Sequence, residues 1–279
     1  MRIACGSSSD VGRVRTNNED SYRIVAPLNL FVLSDGMGGE AHGEVASALA
    51  VETVASHCLE AQSGQSVPIF GEPLMGWSER TRRLASAVHL ANELIYSSAE
   101  AHAEQQGMGA TLSAAWIDGE RMSVAHVGDS RVYLLRAGDL LQLTSDHSLV
   151  AEQVRRGILT PSEAEQSEMQ SVLLRALGTQ PEVEIETDEQ ALIPLDILLL
   201  CSDGLTRMVT EPEIAGTLQA ETDPQKAAEK LVELANENGG ADNITVIVLR
   251  VEPKPIGLLT WLRGSWRKTG SNGSSRGGG

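Results

Sequence analysis

The stretch Leu30-Phe31-Val32-Leu33-Ser34-Asp35-Gly36-Met37-Gly38-Gly39 sets the reading of the whole chain. Its first four residues are branched or aromatic without interruption, the pattern of a buried strand. The run stops at an aspartate followed by three glycines within four residues. A carboxylate at a strand end, beside backbone that can approach closely and take positive φ, suits a hard cation with phosphate at its side. One Asp-Gly alone usually marks a simple turn. Here it is echoed. Residues 197–200 run into Cys201-Ser202-Asp203-Gly204, and Ala241-Asp242-Asn243 opens the apolar stretch 244–249. Aspartates at the ends of three core strands predict that Asp35, Asp203 and Asp242 converge on a metal site.

The 279 residues, 41% hydrophobic and 22% charged, suffice for a sizeable core. The formal charge of −16 excludes a general nucleic-acid binder, which needs a basic face. From Pro253 onward there is no acidic residue, and five are basic: Lys254, Arg263, Arg267, Lys268 and Arg276. Residues 1–252 therefore carry 17 basic against 38 acidic side chains, a balance of −21 that repels anions except where metal or arginine intervenes. Three cysteines without CxxC spacing fit free thiols in a reducing cytoplasm. No signal peptide and no stretch of membrane-spanning length is visible.

Helical periodicity predicts helices over 44–61, 79–105, 211–219 and 223–236. Strands are expected at 22–25, 30–33, 110–117, 121–127, 131–136, 140–143, 183–191, 197–201 and 244–251. Strands cluster, with two helices inserted early and two late, which indicates a layered α+β domain rather than alternating βαβ units. The domain is expected to span 1–252. Residues 253–279 form a tail, basic and tryptophan-bearing, then Gly/Ser-rich and largely disordered, that either folds back or contacts an acidic partner or membrane surface. A monomer is expected.

Taken in order, eight stretches resemble the motifs of the metal-dependent serine/threonine protein phosphatases, the PP2C-like or PPM family, in its compact bacterial form. They are Val14-Arg15-Thr16-Asn17-Asn18-Glu19-Asp20, the Asp35 stretch, Gly43-Glu44-Val45-Ala46-Ser47, Val127-Gly128-Asp129-Ser130-Arg131, Thr144-Ser145-Asp146-His147-Ser148, Arg175-Ala176-Leu177-Gly178, Leu200-Cys201-Ser202-Asp203-Gly204-Leu205, and Gly240-Ala241-Asp242-Asn243-Ile244-Thr245. The resemblance implies a four-layer αββα sandwich, two antiparallel sheets flanked by helix pairs, with metals in a cleft at one edge. It implies that Asp35 bridges two Mn²⁺ or Mg²⁺ ions, that the Gly36 carbonyl binds one, and that Asp203 and Asp242 complete the first ion's ligands. Glu19 and Asp20 match carboxylates that hold metal-bound waters. Asp129 either helps bind a third, weaker ion or is a turn residue.

The resemblance further implies in-line attack by a metal-activated water on phosphoserine or phosphothreonine, without a phosphoenzyme, opposing a bacterial Ser/Thr kinase. Arg15 matches the arginine that grips phosphate; Arg13 is off that register. The chain departs from the family in places. Met37 stands where eukaryotic members have a histidine, so the proton for the leaving group must come from a metal-bound water, His147 or His42. Ala110 precedes Thr111 where two threonines are usual, and Ser167-Glu168-Met169-Gln170 makes the flap less basic. Two competing readings are a phosphatase dedicated to one regulatory phosphoprotein and an inactive scaffold. The scaffold is disfavoured because Asp35, Asp203 and Asp242 are all present.

Overall fold

Strand β3 (Leu30–Met37) sorts the core into layers by its period of two. Leu30 and Val32 face a helix-covered cluster, whereas Phe31 and Leu33 face a second cluster shared with another sheet. The computed structural model describes residues 1–38, 42–63, 67–71 and 75–253. Around β3 lie β2 (Asp20–Val25), β4 (Gly109–Ala110), β5 (Leu112–Asp118), β6 (Arg121–Val127) and β9 (Glu186–Ala191). They form one antiparallel sheet in the order β2-β3-β5-β6-β9, with β4 paired to β3. The other sheet is made of β1 (Arg2–Asp10), β7 (Arg131–Arg136), β8 (Asp139–Gln142), β10 (Ile197–Cys201) and β11 (Ile244–Glu252). Its order is β1-β11-β10-β7-β8, and its paired strands are also antiparallel.

Helices α1 (Gly43–Gln62) and α2 (Glu79–Ala101) cover the outer face of the first sheet through Val51, Val54, Leu84 and Val88. On the second sheet, α6 (Glu211–Ala220) and α7 (Pro224–Glu237) bury Ile214, Leu218, Leu231 and Val232. Shorter helices α3 (Leu149–Arg155), α4 (Pro161–Ala164) and α5 (Asp203–Thr206) lie in the connections. The expected αββα sandwich is what the chain forms. Helix starts follow local chemistry. Ser78 caps α2 by accepting from Thr81 N–H, Asp223 caps α7 by accepting from Gln225 N–H, and Thr210 with Glu213 makes a capping box on α6.

Of the places that differ from expectation, four are the most telling. β1 has no long apolar run to announce it, since Gly6-Ser7-Ser8-Ser9 fills its centre, and Gly6 must stay small. A Cβ on Gly6 would lie 2.2 Å from the Gln225 backbone nitrogen, so α7 rides directly on this edge strand. Helix α2 stops at Ala101 rather than 105; the chain turns extended at His102, and Gln105 folds back to accept from Ser98 Oγ at 2.8 Å. β9 starts at Glu186 rather than 183, since Val183 and Ile185 pack against the helix-side core before pairing begins. β2 starts two residues early, at Asp20, where it pairs with Asp35. No helix among the described residues is long and apolar enough to cross a membrane. The tail proposed as an anchor lies, from residue 254 onward, outside the described residues.

Candidate active site

The apolar layer between the sheets ends in acid. Continuing β3 by its period of two from Phe31 and Leu33 brings Asp35 to the same face, and its register partner across the pair is Asp20. On the facing sheet, Leu198 and Leu200 of β10 lead on to Ser202 by the same period. On β11, Leu249 and Ile247 lead back to Thr245 and Asn243. Ser202, Asp203, Thr245 and Asn243 are all buried.

Two glycines bring the backbones this close. A Cβ on Gly36 would sit 2.1 Å from the Gly43 carbonyl oxygen at the start of α1, and one on Gly204 would sit 2.0 Å from the Asn243 carbonyl oxygen. Neither glycine has positive φ. The glycine of each Asp-Gly pair thus serves close approach, and the positive φ expected of the first stretch falls at Gly38.

Two of the carboxylates, Asp20 and Asp203, are held from one side and bare on the other. Ser202 Oγ donates to Asp20 Oδ2 at 2.7 Å, while Asp20 Oδ1 is buried with no partner. Arg207 Nη2 pairs with Asp203 Oδ2 at 2.5 Å, while Asp203 Oδ1 is likewise buried and bare. Asp242 accepts from Asn243 N–H through Oδ1 at 2.9 Å and from Arg15 Nη2 through Oδ2, also at 2.9 Å. Thr111 Oγ1 accepts from the Asp35 N–H at 3.0 Å and fixes the β3 end.

The electrostatics record the crowding. Burial, then the charges of Asp20, Asp203, Asp129 and Asp242, pushes Asp35 well above the carboxylate range. Asp20 is pushed up to about 7, chiefly by burial, with Asp203 and Asp242 adding to it against hydrogen bonds from Thr245 and Ser202. Burial and the charges of Asp203 and Asp146 push Asp129 up to about 8, against Arg207 and Arg131. Asp203 is raised as well, by burial first. Five carboxylates that act on one another, two with a bare buried oxygen, make an all-oxygen donor set. Such a set fits a hard divalent cation.

Sequence reasoning brought Asp20, Asp35, Asp129, Asp203, Asp242 and Arg15 to one place, and the fold assembles them there. Glu19 stands at the rim. Its carbonyl accepts from Gly36 N–H at 3.0 Å and from Ser47 Oγ at 2.6 Å, and burial raises its carboxyl. Arg13 is exposed, and its backbone N–H donates to Gly240 O at 2.7 Å. His42 caps α1 in the left-handed region and meets Glu44 at 3.3 Å. The Met37 methyl packs on Gly109.

His147 has other company. Its Nδ1 accepts from Gly128 N–H at 3.1 Å, so the neutral ring carries its proton on Nε2, which faces Glu186 Oε2 at 3.3 Å. Its ring lies 4.9 Å from that of His126. Ser113 Oγ donates to Ser130 O, so it must accept from His126 Nδ1–H at 3.0 Å, and His126 Nε2 is left bare. His126, His147 and Glu186 bring possible ligand atoms within 4.8 Å of one another. The Nε2 proton of His147 and the Arg175 guanidinium 3.4 Å from that nitrogen make the trio a brace under the flap rather than a second metal centre.

Reading motifs missed Arg207 altogether and passed over Asn243 as a member of a motif. Asn243 Oδ1 accepts from Glu19 N–H at 2.8 Å, and its Nδ2 donates to Val11 O and Asn17 O, both at 2.9 Å, tying the Arg15 loop to the Asp242 turn. An arginine four residues after Asp203 at the start of a short helix was the available signal for Arg207.

A family model of protein phosphatase 2C matches residues 12–237. The chain belongs to the protein phosphatase 2C family. It is 40% identical over 243 residues to the serine/threonine protein phosphatase PstP of Mycobacterium tuberculosis, covering 87% of this chain and 44% of that protein. It therefore spans less than half the length of this curated relative. To the serine/threonine phosphatase stp of Listeria welshimeri it is 36% identical over 244 residues, covering 86% of this chain and 93% of that one. The fold is similar to the crystal structure of the PstP catalytic domain in complex with two manganese ions, with a TM-score of 0.76 and 38% identity. That likeness covers 90% of this chain and 99% of that one.

Proposed function

We propose that this chain hydrolyses phosphoserine and phosphothreonine in proteins, using two divalent cations, Mn²⁺ or Mg²⁺, held by Asp35, the Gly36 carbonyl, Asp203 and Asp242. The observation that carries the reading is the pair of bare, buried oxygens, Asp20 Oδ1 and Asp203 Oδ1, in a cluster of five carboxylates. Uncompensated negative charge in a dry interior is costly, and cations relieve it. The manganese-bound PstP domain supports the same donor chemistry.

When bound, such ions would acidify a coordinated water and polarise the phosphoryl group. The chain's own residues do the rest. Ser202 holds one oxygen of Asp20, which keeps the other oxygen presented to the cleft. Glu19 and Asp20 accept protons from waters in the cleft. Arg15, half exposed beside Asp242, offers a planar fork to the phosphoryl oxygens. Asp129, next to Asp203, suits a further, weaker cation. His147 is turned to Glu186 and His42 to Glu44, which favours solvent in the cleft over either histidine as proton donor to the leaving alkoxide.

Substrates of this kind come from a Ser/Thr kinase, and the cytoplasm is the compartment we favour. Unpaired Cys5, Cys58 and Cys201 are compatible with it. The test is release of phosphate from a phosphothreonine peptide with Mn²⁺ and with EDTA. Turnover that appears with Mn²⁺ and disappears with EDTA is expected. No turnover with any divalent cation would instead make the chain a binding scaffold.

A further inference from the structure

Arg207 belongs to none of the stretches that carry the family resemblance, yet its guanidinium enters the aspartate cluster. It follows Asp203 by four residues, at the end of the single turn α5. Its Nη2 lies 2.5 Å from Asp203 Oδ2 and its Nη1 lies 3.7 Å from Asp242 Oδ2. Arg15, from the far end of the sequence, reaches that same Asp242 oxygen at 2.9 Å. Two guanidiniums from separate elements thus converge on one carboxylate oxygen. Both stand where solvent can reach them, the Arg207 side chain at 25% exposure and that of Arg15 at 52%.

We propose that Arg207 is a second anion-gripping arginine of this site, holding the substrate phosphoryl group together with Arg15. The inference rests on reading the site as a phosphatase centre. A cation drawn to Asp203 and Asp242 competes with both guanidiniums for those oxygens. An arginine loosened from its carboxylate stays tethered at the mouth, and an incoming phosphate dianion replaces the partner it has lost. Each guanidinium has five N–H donors in a rigid fork, so donors remain for a tetrahedral anion. In a body whose balance is −21, fixed positive charge at this mouth also offsets the repulsion a phosphorylated peptide meets.

The competing role is positional: Arg207 merely holds Asp203. The two roles differ in what their loss does. The experiment uses the full chain as wild type, Arg207→Ala, Arg207→Gln and Arg207→Lys, with Arg15→Ala as reference and circular dichroism to confirm folding. Calorimetry measures Mn²⁺ binding, then inorganic phosphate binding to the Mn²⁺-loaded protein; kcat and KM are measured on a phosphothreonine peptide.

Gripping predicts that Arg207→Ala and Arg207→Gln weaken phosphate binding about tenfold and raise KM in parallel. Mn²⁺ binding should be equal or tighter, because a competing cation is gone, and Arg207→Lys should recover part of the loss. Weaker Mn²⁺ binding and lower kcat with phosphate binding unchanged would overturn the proposal in favour of positioning. No change in either would overturn it as well. If Arg207→Ala does not fold, Arg207→Gln and Arg207→Lys decide in the same way. Wild-type protein that binds neither Mn²⁺ nor phosphate would sink the phosphatase reading itself, a result distinct from any of these.

Discussion

Strand β10 carries a buried aspartate near each end, and the two could hardly be treated more differently. Before its first residue, Asp196 is 1% exposed. Arg136 grips it as a fork, Nε to Oδ1 at 2.9 Å and Nη2 to Oδ2 at 2.7 Å, and Ile193 N–H adds a bond to Oδ2 at 2.8 Å. Beyond the last residue, Asp203 has one oxygen on Arg207 and the other on nothing, with Asp35, Asp129 and Asp242 close enough to act on it. A carboxylate closed by a fixed opposite charge is structural. One left open among like charges awaits a cation the chain does not itself supply.

The comparison breaks most sharply in turnover. Asp203→Asn and Asp242→Asn should each lower kcat by roughly a thousandfold or more at saturating Mn²⁺. Asp196→Asn, at the other end of the same strand, should leave kcat near wild type. Steady-state kinetics on a phosphothreonine peptide checks all three. A wild-type rate in Asp242→Asn would remove that residue from the centre.

Stability should sort the same residues in reverse. Asp196→Asn breaks the fork and leaves a half-buried guanidinium without its counter-charge, at a cost of about 2 kcal/mol in urea unfolding. Asp35→Asn in EDTA at pH 8 should instead raise stability by about 1 kcal/mol, because it removes the most strongly repelled carboxylate. The same substitution should cancel the rise in Tm that Mn²⁺ gives the wild type. A destabilised Asp35→Asn in EDTA would mean that Asp35 is closed by partners as Asp196 is.

Sequence alone made the open end legible and the closed end nearly invisible, for a physical reason. Asp35, Asp203 and Asp242 flank apolar runs, so period and strand end together place them on one rim. Asp196 sits in the short connection after Pro194, and nothing local tells that Arg136, sixty residues away, will close on it. Asn243 was passed over similarly, since its partners Val11, Asn17 and Glu19 are joined only by tertiary folding, whereas Arg207 did have a local partner, Asp203, four residues before it. β1 escaped because Gly6, pressed against α7, and three serines stand where a strand would ordinarily announce itself with branched residues. The helix pairs and the central strands, whose signals are local and periodic, fell within a few residues of expectation.

The smallest effect expected is a pH dependence, and its sign separates the charge clusters. In metal-free protein Asp20 at about 7 and Asp129 at about 8 lie above their ordinary value of 3.8, so the folded state holds more protons than the unfolded one between those limits. The stability these groups allow is therefore present at acid pH and is lost as pH rises through about 7 to 8. His126 works oppositely: burial pulls it from 6.5 to about 4, and its contribution is lost as pH falls through that range. Between about pH 4 and 6.5 the two raised aspartates outweigh the one lowered histidine, so the Tm of metal-free protein should fall by a few degrees as pH rises from about 4 to about 8. Saturating Mn²⁺ should abolish that fall, since cation binding requires those carboxylates deprotonated, and uncover the opposite, acid-side loss from His126. A Tm in EDTA that rises steadily from pH 6 to pH 8 would mean the aspartates are already compensated, and the contrast between the two ends of β10 would disappear.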